Sequence, residues 1–478
     1  MNSKPSCPNL VLLLLTVLLV EQNSAQEFSP LTQQFITVKA DTIALTHVLI
    51  IDGTGNPPKT DQSIIIAGKY IIRTGNTGKV PLPASAKIID CTGKSIIPGM
   101  IMMHEHLFYG ESVPPQYLGL EMPVSFPRLY LAGGVTTMRT TGSVEPQTDI
   151  NIRDQINSGR MPGPGIDVTG PYIERAALPI PEVLFIKSPE EAGKEVSYWI
   201  SNGSTSFKVY MDITKADLAE VVKVAHESNI KVTGHLCSVT YREAADIGID
   251  NLEHGFWVSS DFDKNKKENQ CSSGGQSMSI RNLDEKSAEM KELMTWLIKK
   301  NVTITSTLPV FEPYTGREVF PGNGGESLTP VIREGIEKAA APMVNRDSVN
   351  VAMFKKEMAW EKQFVDMGGK LMAGIDPTGA GRVIPGYADR HIPELLVEAG
   401  FSFSQAIKIC SLNAAQYLGK DKETGTIEVG KKADLVLING DPTKDVKAMR
   451  NTEIVFKNGV GFDSKKLFES VKGKVGLF

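Results

Sequence analysis

Met100-Ile101-Met102-Met103-His104-Glu105-His106 is an apolar, strand-like run that ends on two imidazoles two positions apart. Residues i and i+2 of a strand share a face, so both rings point the same way. Four later runs end in the same manner on a metal-seeking side chain: Phe207-Lys208-Val209, Thr233-Gly234-His235, Leu252-Glu253-His254 and Gly374-Ile375-Asp376. Four of the seven histidines fall in this array. A lone His-x-His pair is more often solvated or satisfied in a core, and a lone strand-end lysine usually reaches water or a carboxylate. Repetition of donors at strand ends outweighs those readings and points to a metal site.

Working outward, strand-like runs at 100–106, 135–139, 166–169, 206–210, 231–235, 251–254, 302–307 and 371–376 alternate with helical text. That alternation predicts a parallel sheet with crossover helices, and eight strands predict an α/β fold closed as a (β/α)8 TIM barrel, with His104 and His106 facing its interior. Thr214 caps a helix whose Leu218, Val221, Val222 and Ala225 fall on one stripe, and residues 284–300 form another with Met290, Leu293, Met294 and Leu297 inside. Residues 259–283 are a polar excursion after the sixth strand, read as exposed surface loop, with a lid as the alternative.

Short β-branched runs broken by glycine fill residues 42–97, and the same texture returns in Leu435-Val436-Leu437-Ile438 and in Ile454-Val455-Phe456-Lys457-Asn458-Gly459. Both ends of the chain are therefore expected to build one small β-sandwich domain, residues 26–97 and 423–478, around a metallohydrolase barrel at 98–422. Residues 1–25 read as a secretory signal: Lys4, an eleven-residue apolar stretch from Leu10 to Val20, and Asn23-Ser24-Ala25 before the cut. That stretch is too short to span a bilayer as a helix, so an exported, periplasmic or secreted protein without a permanent membrane anchor is expected.

The 478 residues are 41% hydrophobic and 22% charged, ordinary for a chain with a large core. A net charge of −4 gives no electrostatic reason to expect nucleic acid as partner. After the signal, Cys91, Cys237, Cys271 and Cys410 are widely spread without a Cys-x-x-Cys, so buried or free thiols are expected rather than a disulfide framework. A small-molecule substrate is expected, and homo-oligomerisation stays open.

The pair His104 and His106 suits one ion, and His235 and His254, at the ends of consecutive strands, suit a second. Buried beside cations, Lys208 loses its proton readily and can condense with carbon dioxide to a carbamate whose two oxygens bridge two metals. Asp376 can hold a metal and also accept the proton of a bound water. Two divalent ions, zinc or else manganese or cobalt, would then leave a residual positive charge for a substrate carbonyl oxygen.

These motifs, with Ile97-Pro98-Gly99-Met100, Gly134-Val135-Thr136-Thr137-Met138-Arg139, Leu252-Glu253-His254-Gly255, Gly374-Ile375-Asp376-Pro377 and Gly430-Lys431-Lys432-Ala433-Asp434, make the chain resemble the amidohydrolase superfamily, in its branch of imidazolonepropionases and Xaa-Pro dipeptidases. The resemblance covers nearly everything after the signal. It implies a barrel with metal ligands at strand ends: His104, His106 and Asp376 on the first ion, Lys208 as bridging carbamate, His235 and His254 on the second. One departure is Met102, where the family commonly has an aspartate that supports the site.

The expected activity is hydrolysis of amide bonds in dipeptides or N-acyl amino acids by a metal-bridging hydroxide, with Asp376 as catalytic base and Arg139, Tyr109 and Tyr210 as candidates to orient substrate. Cyclic amides, lactones and a mononuclear deaminase are the enzymatic alternatives. A deaminase usually has a carboxylate just after the fifth-strand histidine, whereas Leu236-Cys237-Ser238 follows His235. An exported binding protein with a relic metal site is the alternative from another class.

Overall fold

The computed structural model describes residues 27–476 except 114–115, 177, 179, 273–277, 341–347 and 379–381. The expected signal segment lies outside the described residues. Both ends of the remaining chain meet in a nine-stranded sheet, in which Leu435–Asn439 pairs antiparallel with Lys94–Pro98, Val436 opposite Ile97. Ile43, Leu45, Ile64, Ile66 and Leu437 are buried together on this sheet. The hairpin joining Thr452–Lys457 to Val460–Asp463 turns on Asn458 and Gly459, with φ of 49° and 78°, the left-handed pair that a tight hairpin requires and that Asn-Gly adopts at low cost.

The middle of the chain supplies parallel strands, labelled here β1 (Met100–Glu105), β2 (Val135–Thr140), β3 (Gly165–Asp167), β4 (Ser206–Val209), β5 (Lys231–Gly234), β6 (Asn251–Glu253), β7 (Thr303–Ser306) and β8 (Leu371–Ala373). Strands β1 to β3 pair in order, as do β4 to β8. A parallel bridge from Thr169 to Ser206 links the two sets. At the other margin the amides of Ile375 and Asp376 donate to His104 O, at 3.3 and 2.9 Å, returning the order to β1. The result is barrel-like. It depends on Gly374, where a Cβ would lie 2.4 Å from that of His104.

Helices cover the strands as their periodicity predicts. Lys215–Glu227 begins with a capping box between Thr214 and Asp217 and buries Leu218, Val221, Val222 and Ala225. Ala288–Lys299 buries Met290, Leu293, Met294 and Leu297. No described helix is long and apolar enough to cross a membrane.

Two features differ from the sequence reading. A two-stranded hairpin, Phe108–Val113 with Gln116–Glu121, follows β1 directly. Cys237 and Cys271 form a disulfide, with Cα atoms 4.8 Å apart, whereas Cys91 and Cys410 are free and buried as expected. The correction has a spatial cause: residues 259–272 fold back onto the segment that follows β5, which spacing along the chain does not reveal.

Candidate active site

The strands end where the donors begin. His104 lies inside β1, and His106, His235, His254 and Asp376 stand one to three residues beyond the ends of β1, β5, β6 and β8. His254 and Asp376 have φ of 67° and 49°, a backbone region that costs a non-glycine residue about 1 kcal/mol or more and that turns each side chain off its strand into the rim.

Six donors converge there. One donor atom from each of His104, His106 and Asp376 lies within 4.8 Å of the others, and Asp376 Oδ1 is 3.3 Å from His106 Nε2 and 3.9 Å from His104 Nε2. His254 packs its ring 4.5 Å from His104 and 4.3 Å from His235, and its Nδ1 is 3.9 Å from Asp376 Oδ2. Lys208, 1% exposed, places Nζ 3.4 Å from His104 Nε2.

Burial sets their protonation. It holds His104 and His254 well below the ordinary histidine range, helped for His104 by Lys208 and for His254 by His235, so both present neutral nitrogen. Burial lowers Lys208 to about 8, against the opposing pull of Glu253 and Asp376, which brings the neutral amine within reach near neutrality. Burial works against ionisation of Asp376, but the imidazoles of His104 and His106 outweigh it and keep a carboxylate. Neutral imidazoles, a carboxylate and a readily deprotonated amine in one buried cluster are a fitting donor set for zinc or a similar divalent ion.

A carboxylate behind the first histidine comes from an unexpected quarter. Glu253, fully buried on β6, accepts from His104 Nδ1 at 2.7 Å and from Arg139 at 2.7 Å, with Thr233 also donating to it. It thus supplies, from across the strands, the support that Met102 cannot. Its place in Leu252-Glu253-His254, one residue before a donor, was the available signal, but only pairing reveals its partner.

Of the three residues expected to orient substrate, Tyr210 alone lines the cavity above the donors. Arg139 is turned inward, donating to Met103 O, Asn251 and Glu253, and serves as the counter-ion of Glu253 instead. Tyr109 is buried away from the lining, because the hairpin after β1 carries it aside. The cavity, about 450 Å³, is lined by Tyr117 and Tyr172 as well, and Tyr172 places its hydroxyl 3.2 Å from His106 Nε2.

Parallel strands that present imidazole, amine and carboxylate groups at one shared rim have the layout of α/β enzymes that work at their strand ends. The model of the amidohydrolase family matches residues 95–461, and the chain belongs to that family. The chain is 28% identical over 163 residues to an imidazolonepropionase of Geobacillus sp. (strain WCH70), a match taking in 31% of this chain and 37% of that protein, so the chain spans little more than a third of the curated relative's length. A putative prolidase from Bifidobacterium longum superposes with a TM-score of 0.65 at 22% identity, over 90% of this chain and 99% of that one. A Xaa-Pro dipeptidase with methionine bound in its active site gives 0.64 at 20%, over 88% and 100%. At such identities the two structures speak for the fold.

Proposed function

We propose that the chain is a metal-dependent amidohydrolase that cleaves amide C–N bonds, with eight parallel strands closing into a (β/α)8 barrel, a terminal β-sandwich and a two-metal centre at the barrel rim. One observation carries the reading: His104, His106, Lys208, His235, His254 and Asp376, drawn from five strands, meet in a single cluster, five of them buried and His235 half-buried. His104, His106 and Asp376 would hold one ion, His235 and His254 the other, and Lys208, as a carbamate, would serve both. Two bound divalent cations supply Lewis acidity, which polarises a carbonyl and makes water acidic enough to attack near neutral pH.

The chain's own groups do the rest. Asp376 takes the proton of the attacking water and returns it to the leaving nitrogen, a transfer for which a carboxylate at the cavity floor is placed. Glu253 fixes His104 by holding its Nδ1, which leaves Nε2 facing Asp376 and Lys208. Tyr210, packed 5.0 Å from the His235 ring, is positioned to donate to the oxygen of a bound amide.

Metal analysis tests the reading. About two ions per chain are expected, with loss of metal and of amide hydrolysis in Lys208→Ala. A single ion per chain, undisturbed by that substitution, would return the site to the mononuclear deaminase type. Export by residues 1–25 belongs to the same proposal and is supported by the Cys237–Cys271 disulfide, which suits an oxidising compartment. The mature chain should begin at Gln26, as N-terminal sequencing would read, and an intact Met1 on the secreted or periplasmic protein would refute it.

A further inference from the structure

The cavity above the donors is walled with carbon. On one side Phe108, Val144, Tyr172 and Val183 form a small apolar cluster of their own. On the other, Trp257 and Phe311 stack with centroids 4.3 Å apart and planes 12° from parallel, and all six line the cavity. Among the described lining residues, every carboxyl, amine and imidazole belongs to the donor cluster. Among the described residues, Glu182 and Arg382 come close to the lining and stay outside it. Glu182 accepts from the Gly119 amide at 3.3 Å, and Arg382 acts on the Tyr314 phenol.

A free dipeptide near neutrality is a zwitterion. Entering this cavity, its ammonium and its carboxylate would shed water against aromatic and aliphatic walls, with no charge in the described lining outside the donor cluster to pair with either, and unpaired burial of a charge is strongly unfavourable. An uncharged amide meets no such penalty and gains contact with both walls. A cavity of about 450 Å³ is ordinary for a small organic ligand.

Among the described lining residues, one fully buried side-chain oxygen is uncommitted. Tyr117, on the hairpin after β1, has a buried hydroxyl without a hydrogen-bond partner. Gly110 on the facing strand leaves the space for it, because a Cβ there would collide with that hydroxyl. A buried phenol hydroxyl left unpaired carries a cost that a bound polar atom would relieve.

We propose that the site selects uncharged amides bearing an aromatic or bulky apolar group on each side of the scissile bond, and that the Tyr117 hydroxyl bonds a polar atom of the bound substrate. The inference rests on the hydrolase reading for turnover, but its selectivity is separately measurable as binding. Dipeptides, which the sequence puts first, become poor substrates.

A charge matrix on one scaffold tests it. The acyl part is 3-phenylpropanoyl or phenylalanyl and the amine part phenethylamine or phenylalanine, so the same amide is flanked by no charge, an ammonium, a carboxylate or both. The zinc-loaded full chain is assayed for kcat/KM, and binding is followed by calorimetry. The neutral amide is expected to lead phenylalanyl-phenylalanine by about 30-fold or more in both readouts, the unpaired charges setting the difference. Tyr117→Phe should weaken binding of the neutral amide about three- to ten-fold, the worth of one hydrogen bond. Neutral-selective binding without turnover would uphold the selectivity and sink the hydrolase reading. Equal or better binding of a charged member, which would implicate Glu182 or Arg382, or no binding by any member, overturns the proposal, and an unchanged Tyr117→Phe overturns the role of that hydroxyl.

Discussion

Glu253 shows how much depends on a single carboxylate in a dry interior. It stands between the imidazole of His104 and the guanidinium of Arg139, both within 2.7 Å and all three almost fully buried. Glu253→Gln keeps the shape and removes the charge, so His104 is held less firmly and Arg139 is left without its ion pair. Metal affinity should fall about 10- to 100-fold, as for other groups that orient a ligand histidine, and competition with a chelator would measure it. An unchanged affinity would reduce Glu253 to packing. Asp376→Asn removes the proton acceptor, and kcat should drop by about 10² to 10⁴. Steady-state rates near those of the unaltered protein would refute the assignment of Asp376 as base.

At the scale of elements, the loop after β6 and the segment after β5 act as one unit because Cys237 and Cys271 tie them across 34 positions of sequence. Cys237 follows His235 by two residues, so the bond also steadies a donor-bearing segment. Cys271→Ser should cost about 2–4 kcal/mol in stability, chiefly by loosening the constraint on the unfolded chain. Denaturant unfolding would read it, and equal stability of the two proteins would show the constraint to be irrelevant. The helix Lys215–Glu227 owes its entry to Thr214 and Asp217, each bonding the other's backbone amide. Thr214→Ala should cost about 1 kcal/mol, seen as a lower unfolding midpoint with the denaturant slope unchanged.

For the whole molecule, a buried ionic knot joins parts distant in sequence. His391, on the helix Tyr387–Glu398, bonds Glu312 at 2.7 Å and Glu394 at 3.1 Å, and Arg450, just before the penultimate strand of the terminal sheet, reaches Glu394 at 2.6 Å. Burial opposes the charge on His391, but hydrogen bonds to Glu312 and Glu394 prevail and raise it to about 9. Burial opposes ionisation of Glu394 as well, and His391 and Arg450 hold it near 2. The histidine's share of stability is therefore complete below its unfolded value of about 6.5 and is lost as pH rises through about 9. The glutamate's is complete above about 4.5 and is lost as pH falls through about 2. Stability should fall between pH 6.5 and 9.5, and His391→Gln should flatten that fall. Parallel denaturation curves for both proteins across the range would disprove the linkage.

Much of this protein is written in local pattern. The eight strand runs, the helix entered at Thr214, the apolar stripe from Met290 to Leu297 and the strand-end donors are all set by periodicity and by the residue at the end of each run, because side-chain direction in a strand or helix follows from spacing alone. What depends on partners far along the chain stayed hidden. Glu253 meets His104 across 149 positions, Arg139 turns to Met103 and Glu253 and so leaves the cavity, Cys271 folds back on Cys237, and the hairpin after β1 lifts Tyr117 over the site while Tyr109 is carried aside. Each of these is settled by which strands lie side by side and how tightly they pack. Chain spacing carries the period of a strand, and only the packed rim carries the distance between two side chains.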